Sequence, residues 1–191
     1  MTVLHAIAAR KRNAMVTRAG LLAAATTRFA REGYDNVSLR EIASDAGVDV
    51  SLVSRYFGGK EELFAEVLAA CPSGADMFEG DPADFGERIA TKLVFDEQVD
   101  KDLNCLLIIL RSASSPKARE ATRKSGQERF FGPIENWMGG PNARVRARLV
   151  ADIIMGVTID RVISDDFELD DSARKAFRDR LARTLQSAIE V

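Results

Sequence analysis

The chain has 191 residues, of which 46% are hydrophobic and 29% charged, with a net charge of -2. That balance supports one or two small domains with a buried core and argues against a disordered tail. The longest apolar run, Cys105–Leu110, is far short of the ~20 residues that span a bilayer.

The predicted elements are helical nearly throughout. Leu22, Ala25 and Phe29, with Leu21 beside them, share one face of a helix over Met15–Glu32. Gly33 ends that helix, and Tyr34 folds back onto its last turn. Ser38-Leu39-Arg40-Glu41 reads as a capping box that opens a short helix closed by Gly47. Asp49 caps another helix running to about Tyr56, Gly58-Gly59 breaks it, and Lys60 begins a longer one ending before Pro72. Cys71–Pro82 is loop-like. Further helices are expected over about 84–96, 102–114, 117–138, 143–164 and 171–190, with a kink at Gly132-Pro133 because proline lacks an N–H and crowds the preceding turn. No stretch alternates as a strand does, so the expected class is all-α.

The residue inventory excludes much chemistry. Catalysis by a Cys/His or Ser/His pair would have to use His5, the single histidine, next to the basic run Arg10, Lys11 and Arg12. Two distant cysteines, Cys71 and Cys105, make neither a disulfide framework nor, with one histidine, a zinc site. No enzyme activity, metal or cofactor is expected. The start lacks the apolar segment of a secretory signal, and the chain reads as cytoplasmic with no membrane partner. Charge is uneven. Residues 1–60 hold nine Lys/Arg and five Asp/Glu, a balance of +4, whereas the remainder holds eighteen and twenty-four, a balance of -6. A basic head on an acidic body points to a polyanion met by the head alone.

The decisive constellation is Ser38–Phe57, SLREIASDAGVDVSLVSRYF. Two short capped helices joined at Ala46-Gly47-Val48 can be fused by Ile42, Ala43, Val48, Val53 and Phe57 into one small core with Leu22 and Phe29. This is the pattern of a helix-turn-helix, whose second helix enters the major groove. Phe29, Gly33-Tyr34, Ser38, Ile42-Ala43, Ala46-Gly47-Val48, Tyr56-Phe57, Lys60 and Leu63 stand in register with the N-terminal domain of the TetR family of transcriptional regulators, which the chain resembles over about residues 10–70. Ser54 stands where that family often has tyrosine, and Asp49 where it usually has serine.

The resemblance implies a three-helix DNA-binding domain over 10–70 and a helical effector-binding and dimerisation domain over 71–191. It implies a recognition helix at 50–56, with Val50, Ser51, Leu52, Ser54 and Arg55 toward the groove and Arg55 able to take a guanine edge or a phosphate. Ser38, Tyr56 and Lys60 would hold phosphates, and Arg10, Lys11 and Arg12 would form a basic arm. The implied partner is double-stranded operator DNA.

In the second half, Val145, Leu149, Ile153 and Val157 on one helix and Phe177, Leu181, Leu185 and Ile189 on the last recur at helical spacing. These two helices resemble the family's homodimer interface. Residues 84–138 would enclose a cavity for a small, mainly apolar effector. Its walls would be Ile89, Leu93, Leu106, Ile109, Leu110, Phe130, Phe131, Ile134 and Trp137, with Arg123 and Gln127 as polar anchors. The expected function is a ligand-responsive repressor that binds a palindromic operator as a homodimer. The alternative is a regulator or adaptor answering to a protein partner or to no ligand, recognisable by a filled C-terminal core.

Overall fold

The structure, a computed structural model, describes residues 2–71, 77–96, 99–164 and 166–190, without the side chains of 2–12, 99–103, 162 and 166. Among the described residues there are ten α-helices and no strand. They are α1 (Thr2–Glu32), α2 (Leu39–Asp45), α3 (Ser51–Phe57), α4 (Lys60–Ala70), α5 (Phe85–Phe95), α6 (Val99–Ser112), α7 (Pro116–Gly126), α8 (Gly132–Met138), α9 (Ala143–Ile163) and α10 (Asp171–Ile189).

Two boundaries differ from the sequence reading. Helix α1 begins at Thr2 rather than near Met15. Apolar periodicity starts at Met15, but the preceding segment is alanine-rich and has no glycine or proline to stop a helix. The expected kinked helix over 117–138 is split earlier than Gly132-Pro133, by a π-turn at Gln127–Phe131. The Gly132 N–H donates to the Gln127 carbonyl, so the backbone widens before the residue that lacks a donor.

The chain folds as two compact units. The first comprises residues 1–71 and 104–123, so it takes in α1–α4, α6 from Asn104 onward and α7 as far as Arg123, and is larger than the segment 10–70. Its core is Leu21, Ala25, Phe29, Tyr34, Val37, Ile42, Val53, Phe57, Leu63, Phe64, Val67 and Leu68, joined by Ile108 and Ala118. Phe29, Tyr34 and Phe64 pack ring against ring, Phe29 edge-on to Phe64 at 5.1 Å between centroids. Leu21, not Leu22, lies at the centre of this face; Leu22 is half-buried.

Polar clasps tie α6 to the end of α1. The Tyr34 N–H donates to the buried Ser112 Oγ at 3.0 Å, and the Arg111 guanidinium donates to the terminal carbonyls of Ala30 and Arg31. These carbonyls have no partner within the helix, so a cation there satisfies both their hydrogen bonding and the helix dipole. Gly33, at φ 77°, lets the Arg111 carbonyl approach to where a Cβ would be only 2.4 Å away.

The same unit holds the pair Cys71–Cys105, which the structure joins as a disulfide with Cα atoms 5.8 Å apart. The sequence reading expected no disulfide framework from two distant cysteines. Thirty-four positions separate the two residues, and only the packing of α6 against the α4 end brings them within bonding range.

The second unit comprises residues 72–103 and 124–191. Helices α5 and α10 pack closely because Gly86 has no side chain: a Cβ there would meet the Ala182 carbonyl oxygen at 2.2 Å. The Gln186 amide accepts from the Gly86 N–H and donates to the Pro82 carbonyl. Arg161 and Arg174 donate to the Leu93 and Val94 carbonyls at the end of α5. Phe78, Phe85, Ile89, Leu93, Ile134, Val150, Ile154, Leu181, Leu185 and Ile189 form the core.

Helix α9 is apolar on two sides. Ala147, Val150, Ala151 and Ile154 are buried, while Val145, Leu149 and Ile163, spaced at 4 and 14 residues along another face, are 67%, 51% and 78% exposed. No described helix is long and apolar enough to cross a membrane.

Candidate nucleic-acid interface

Helices α2 and α3 are held by local chemistry written in the sequence. The Ser38 Oγ accepts the Glu41 N–H at 3.2 Å, while the Glu41 carboxylate accepts from the Ser38 N–H and hydroxyl at 2.8 and 2.7 Å. This is the expected capping box, and the Ser38 bonds hold the Glu41 carboxyl below the usual carboxylate range. Helix α2 ends in a Schellman motif: Val48 N–H donates to the Ala43 carbonyl and Gly47 N–H to the Ser44 carbonyl, with Gly47 at φ 66°.

The Asp49 carboxylate then accepts the Ser51 N–H at 2.8 Å, supplying the cap predicted for α3 although the helical residues start one position later. Ser51 holds that carboxyl below its ordinary range.

Burial separates the two sides of α3. Val53 and Phe57 are in the core, and Val50, Leu52 and Tyr56 are half-buried against it. Ser51, Ser54 and Arg55 are exposed, so of the six predicted contact positions from Val50 to Tyr56 these three form the solvent-facing ridge. The ridge offers two hydroxyls and one guanidinium, donors and acceptors suited to base edges and phosphates.

Around it, the predicted phosphate contacts Ser38 and Lys60 each have a structural partner, and Tyr56 packs half-buried on the core. Ser38 is exposed but engaged with Glu41. The Lys60 ammonium sits 4.4 Å from the Tyr34 ring centroid, and burial lowers its pKa from the ordinary lysine value. Lys60 borders a hollow of about 470 Å³ with Tyr34, Gly59, Glu61, Glu62 and Lys117, where Lys117 pairs with Glu61. The α1 backbone runs through Arg10, Lys11 and Arg12, whose side chains lie outside the described residues.

Several supports were not anticipated from sequence. Arg28 on α1 forms a two-pronged ion pair with Asp45 on α2, Nη2 to Oδ1 2.9 Å, and also meets Glu32. The pair raises the Arg28 pKa and holds Asp45 below the usual carboxylate range. Arg18 lies over the Phe57 ring at 4.8 Å and pairs with Glu66 at 2.8 Å. Together these side chains brace α2–α4 against α1. Arg28 and Glu32 alone showed an i, i+4 signal; the partner on α2 had none.

The predicted effector set is divided between the units. Leu106, Ile109, Leu110 and Arg123 belong to the first, the other seven to the second. Leu106 is buried, Ile109 packs on the first core, and Leu110 and Arg123 are exposed, Arg123 paired with Glu120. Ile89, Leu93 and Ile134 are buried in the second core. Phe130 and Trp137 pack on Phe78, Phe131 lies under Arg148, and Gln127 is exposed. Of the predicted dimer residues, Val145 and Leu149 are exposed, Ile153, Val157 and Phe177 are partly buried, and Leu181, Leu185 and Ile189 are in the protomer's own core. A shallow hollow of about 480 Å³ lies beside Leu149, Ile153, Arg183, Thr184, Ser187 and Ala188.

Two family profiles match this chain: "Bacterial regulatory proteins, tetR family" over residues 21–67 and "Tetracyclin repressor-like, C-terminal domain" over 83–189. The second alone covers more than half of it. The chain belongs to the TetR family. Members are DNA-binding regulators rather than enzymes, in agreement with the reading of the sequence.

This TetR-family chain is 39% identical over 57 residues to the HTH-type transcriptional repressor SCO4008 of Streptomyces coelicolor, a match spanning 30% of each chain. Its fold is similar to that of NalD, the secondary repressor of the MexAB-OprM multidrug efflux pump in Pseudomonas aeruginosa, at TM-score 0.64 and 22% identity, covering 87% of this chain and 95% of that one. A transcriptional regulator from Rhodococcus sp. Rha1 is similar at TM-score 0.61 and 26% identity, covering 91% and 98%.

Proposed function

We propose that the chain is a repressor that binds a palindromic operator as a homodimer, placing α3 of each protomer in successive major grooves. The observation that carries this reading is the outward ridge of Ser51, Ser54 and Arg55, on a helix whose other side is locked into the core by Val53 and Phe57. The printed names of SCO4008 and NalD favour repression as the direction of control.

A symmetric pair is needed because two half-sites lie about 34–36 Å apart on the duplex. The exposed apolar face of α9, with Val145, Leu149 and Ile163 in water, supports a second copy as its cover. Ser38, Tyr56, Lys60 and the run Arg10–Arg12 supply backbone contacts in this reading, and the protein acts in the cytoplasm. An effector favouring the non-binding form by about 2–3 kcal/mol lowers operator affinity roughly 30- to 150-fold.

One observation favours a second reading of the regulation. Ile89, Leu93, Ile134 and Trp137, assigned to cavity walls, pack with Phe78 and Phe85 as core. A core filled by its own side chains favours control by a protein partner or by no ligand.

Selection of bound fragments from random duplex DNA tests the main reading. A recovered site with two-fold symmetry and a half-site separation of one helical turn supports it; absence of enrichment over non-specific DNA at low salt refutes it. Native mass spectrometry of the purified chain separates the regulatory readings, since a small apolar molecule retained by the dimer favours the ligand-responsive one.

A further inference from the structure

We propose that Cys71 and Cys105 form a reversible thiol-oxidation site, closed to a disulfide by a hydroperoxide, that restrains the end of α4. The inference rests on the proposed operator binding only for its regulatory consequence; the site itself stands on four observations.

The two residues are the only cysteines of the chain, and both lie in the first unit. Their Cα atoms are 5.8 Å apart, within the range a disulfide bridges without backbone movement. Both are half-buried, so they are screened from large partners yet open to a small oxidant or reductant. Their positions in the chain are also particular. Cys71 caps the C-terminus of α4 and is the last residue before the chain leaves the first unit; Cys105 follows the point where it returns, at Asn104. The chain passes between the units at three points, and the bond staples two of them.

The first unit is already complete without the bond. Tyr34–Ser112, Arg111 with the α1 carbonyls, and Val67 and Leu68 in one core with Ile108 hold α6 and α4 to the head. A bond not required to assemble the core is free to act as a variable restraint. In the thiol form no covalent bond joins the end of α4 to α6. In the disulfide form its end moves only with α6, and α4 follows α3 directly through Gly58-Gly59.

The chemistry balances with one hydroperoxide. One thiolate attacks the peroxide oxygen, the O–O bond breaks, and a sulfenic acid forms as water or alcohol leaves. The second thiol attacks that sulfur; the S–S bond forms and the S–O bond breaks, releasing water. The two sulfurs lose two electrons in total and the peroxide gains them. A small dithiol reverses the step by exchange.

The test treats the full-length protein with hydrogen peroxide or with dithiothreitol. Three quantities are then read: alkylatable thiols by mass, amide hydrogen exchange, and affinity for an operator fragment recovered by selection. Expected are two alkylatable thiols after reduction and none after peroxide, with loss of two hydrogens within one chain. Exchange should slow about tenfold at Val67–Ala70 on oxidation. Operator affinity should differ by about fivefold or more between the forms. Cys71→Ser and Cys105→Ser should abolish both responses to peroxide while retaining the affinity of the reduced parent.

Thiols that persist or pass to sulfinic acid, a bond formed only between chains, or unchanged exchange would each overturn the site. Unequal exchange with equal operator affinity would overturn the regulatory consequence. A chain that binds no operator in either form refutes the proposed function, and the thiol and exchange readouts still decide the site.

Discussion

Two glycines with nearly the same backbone angle separate conformational cost from steric cost. Gly33 lies at φ 77° and Gly47 at φ 66°, both in the left-handed region that side chains rarely adopt. A Cβ on Gly47 would meet nothing within 4 Å, whereas one on Gly33 would lie 2.4 Å from the Arg111 carbonyl oxygen and 3.0 Å from its carbon. Gly47→Ala therefore carries only the left-handed penalty, about 1–2 kcal/mol. Gly33→Ala adds a clash with backbone that cannot rotate away, about 1–3 kcal/mol more by comparison with overpacked cores.

The displaced atoms belong to the residue next to Ser112, so the buried Tyr34–Ser112 hydrogen bond is strained by the same shift. Equilibrium urea unfolding followed by far-ultraviolet circular dichroism measures the difference. With a urea slope of about 2 kcal/mol per molar, Gly47→Ala lowers the midpoint by about 0.5–1 M and Gly33→Ala by about 1–2.5 M. Equal midpoints for the two variants would refute the close approach of α6 to the end of α1.

Arg55→Ala should weaken binding to a selected operator by about 1–3 kcal/mol with unchanged helicity, read by electrophoretic mobility shift on specific and scrambled duplexes; equal loss on both would make Arg55 a phosphate contact. Leu149→Arg should leave the circular dichroism spectrum unchanged, because the side chain is half in water already, and should shift the mass measured by light scattering from dimer to monomer. The folded pKa values of Glu41, Asp45 and Asp49 lie below their ordinary values. Their contribution to stability is therefore present above the unfolded carboxylate range near pH 4 and is lost as pH falls through the folded values. Thermal melts between pH 7 and pH 3 should show this loss, and Glu41→Gln should reduce its slope.

Local chemistry was legible before any coordinates. The capping box at Ser38, the glycine stop at Gly47 and the cap at Asp49 involve partners two to five residues apart, so composition and spacing specify them. The same is true of the helix-turn-helix register and of the helical spacing of apolar residues on α9 and α10. Which of those residues face water was not legible. Periodicity places residues on a common face but does not say what covers it, and so Val145 and Leu149 are exposed while Leu181, Leu185 and Ile189 serve the protomer's core.

The effector positions are divided between the two units for the same reason: an aromatic and aliphatic run over 84–138 carries no mark of the unit into which each residue packs. Pairs distant in sequence belong to tertiary structure alone. Arg28 with Asp45, Tyr34 with Ser112, Gly86 with Ala182 and Cys71 with Cys105 meet because whole helices dock. Docking sums many weak apolar contacts over surfaces that no short window of residues contains. Backbone caps and turns are settled by neighbours along the chain, and the bracing of the recognition helix and the pairing of the two thiols by neighbours in space.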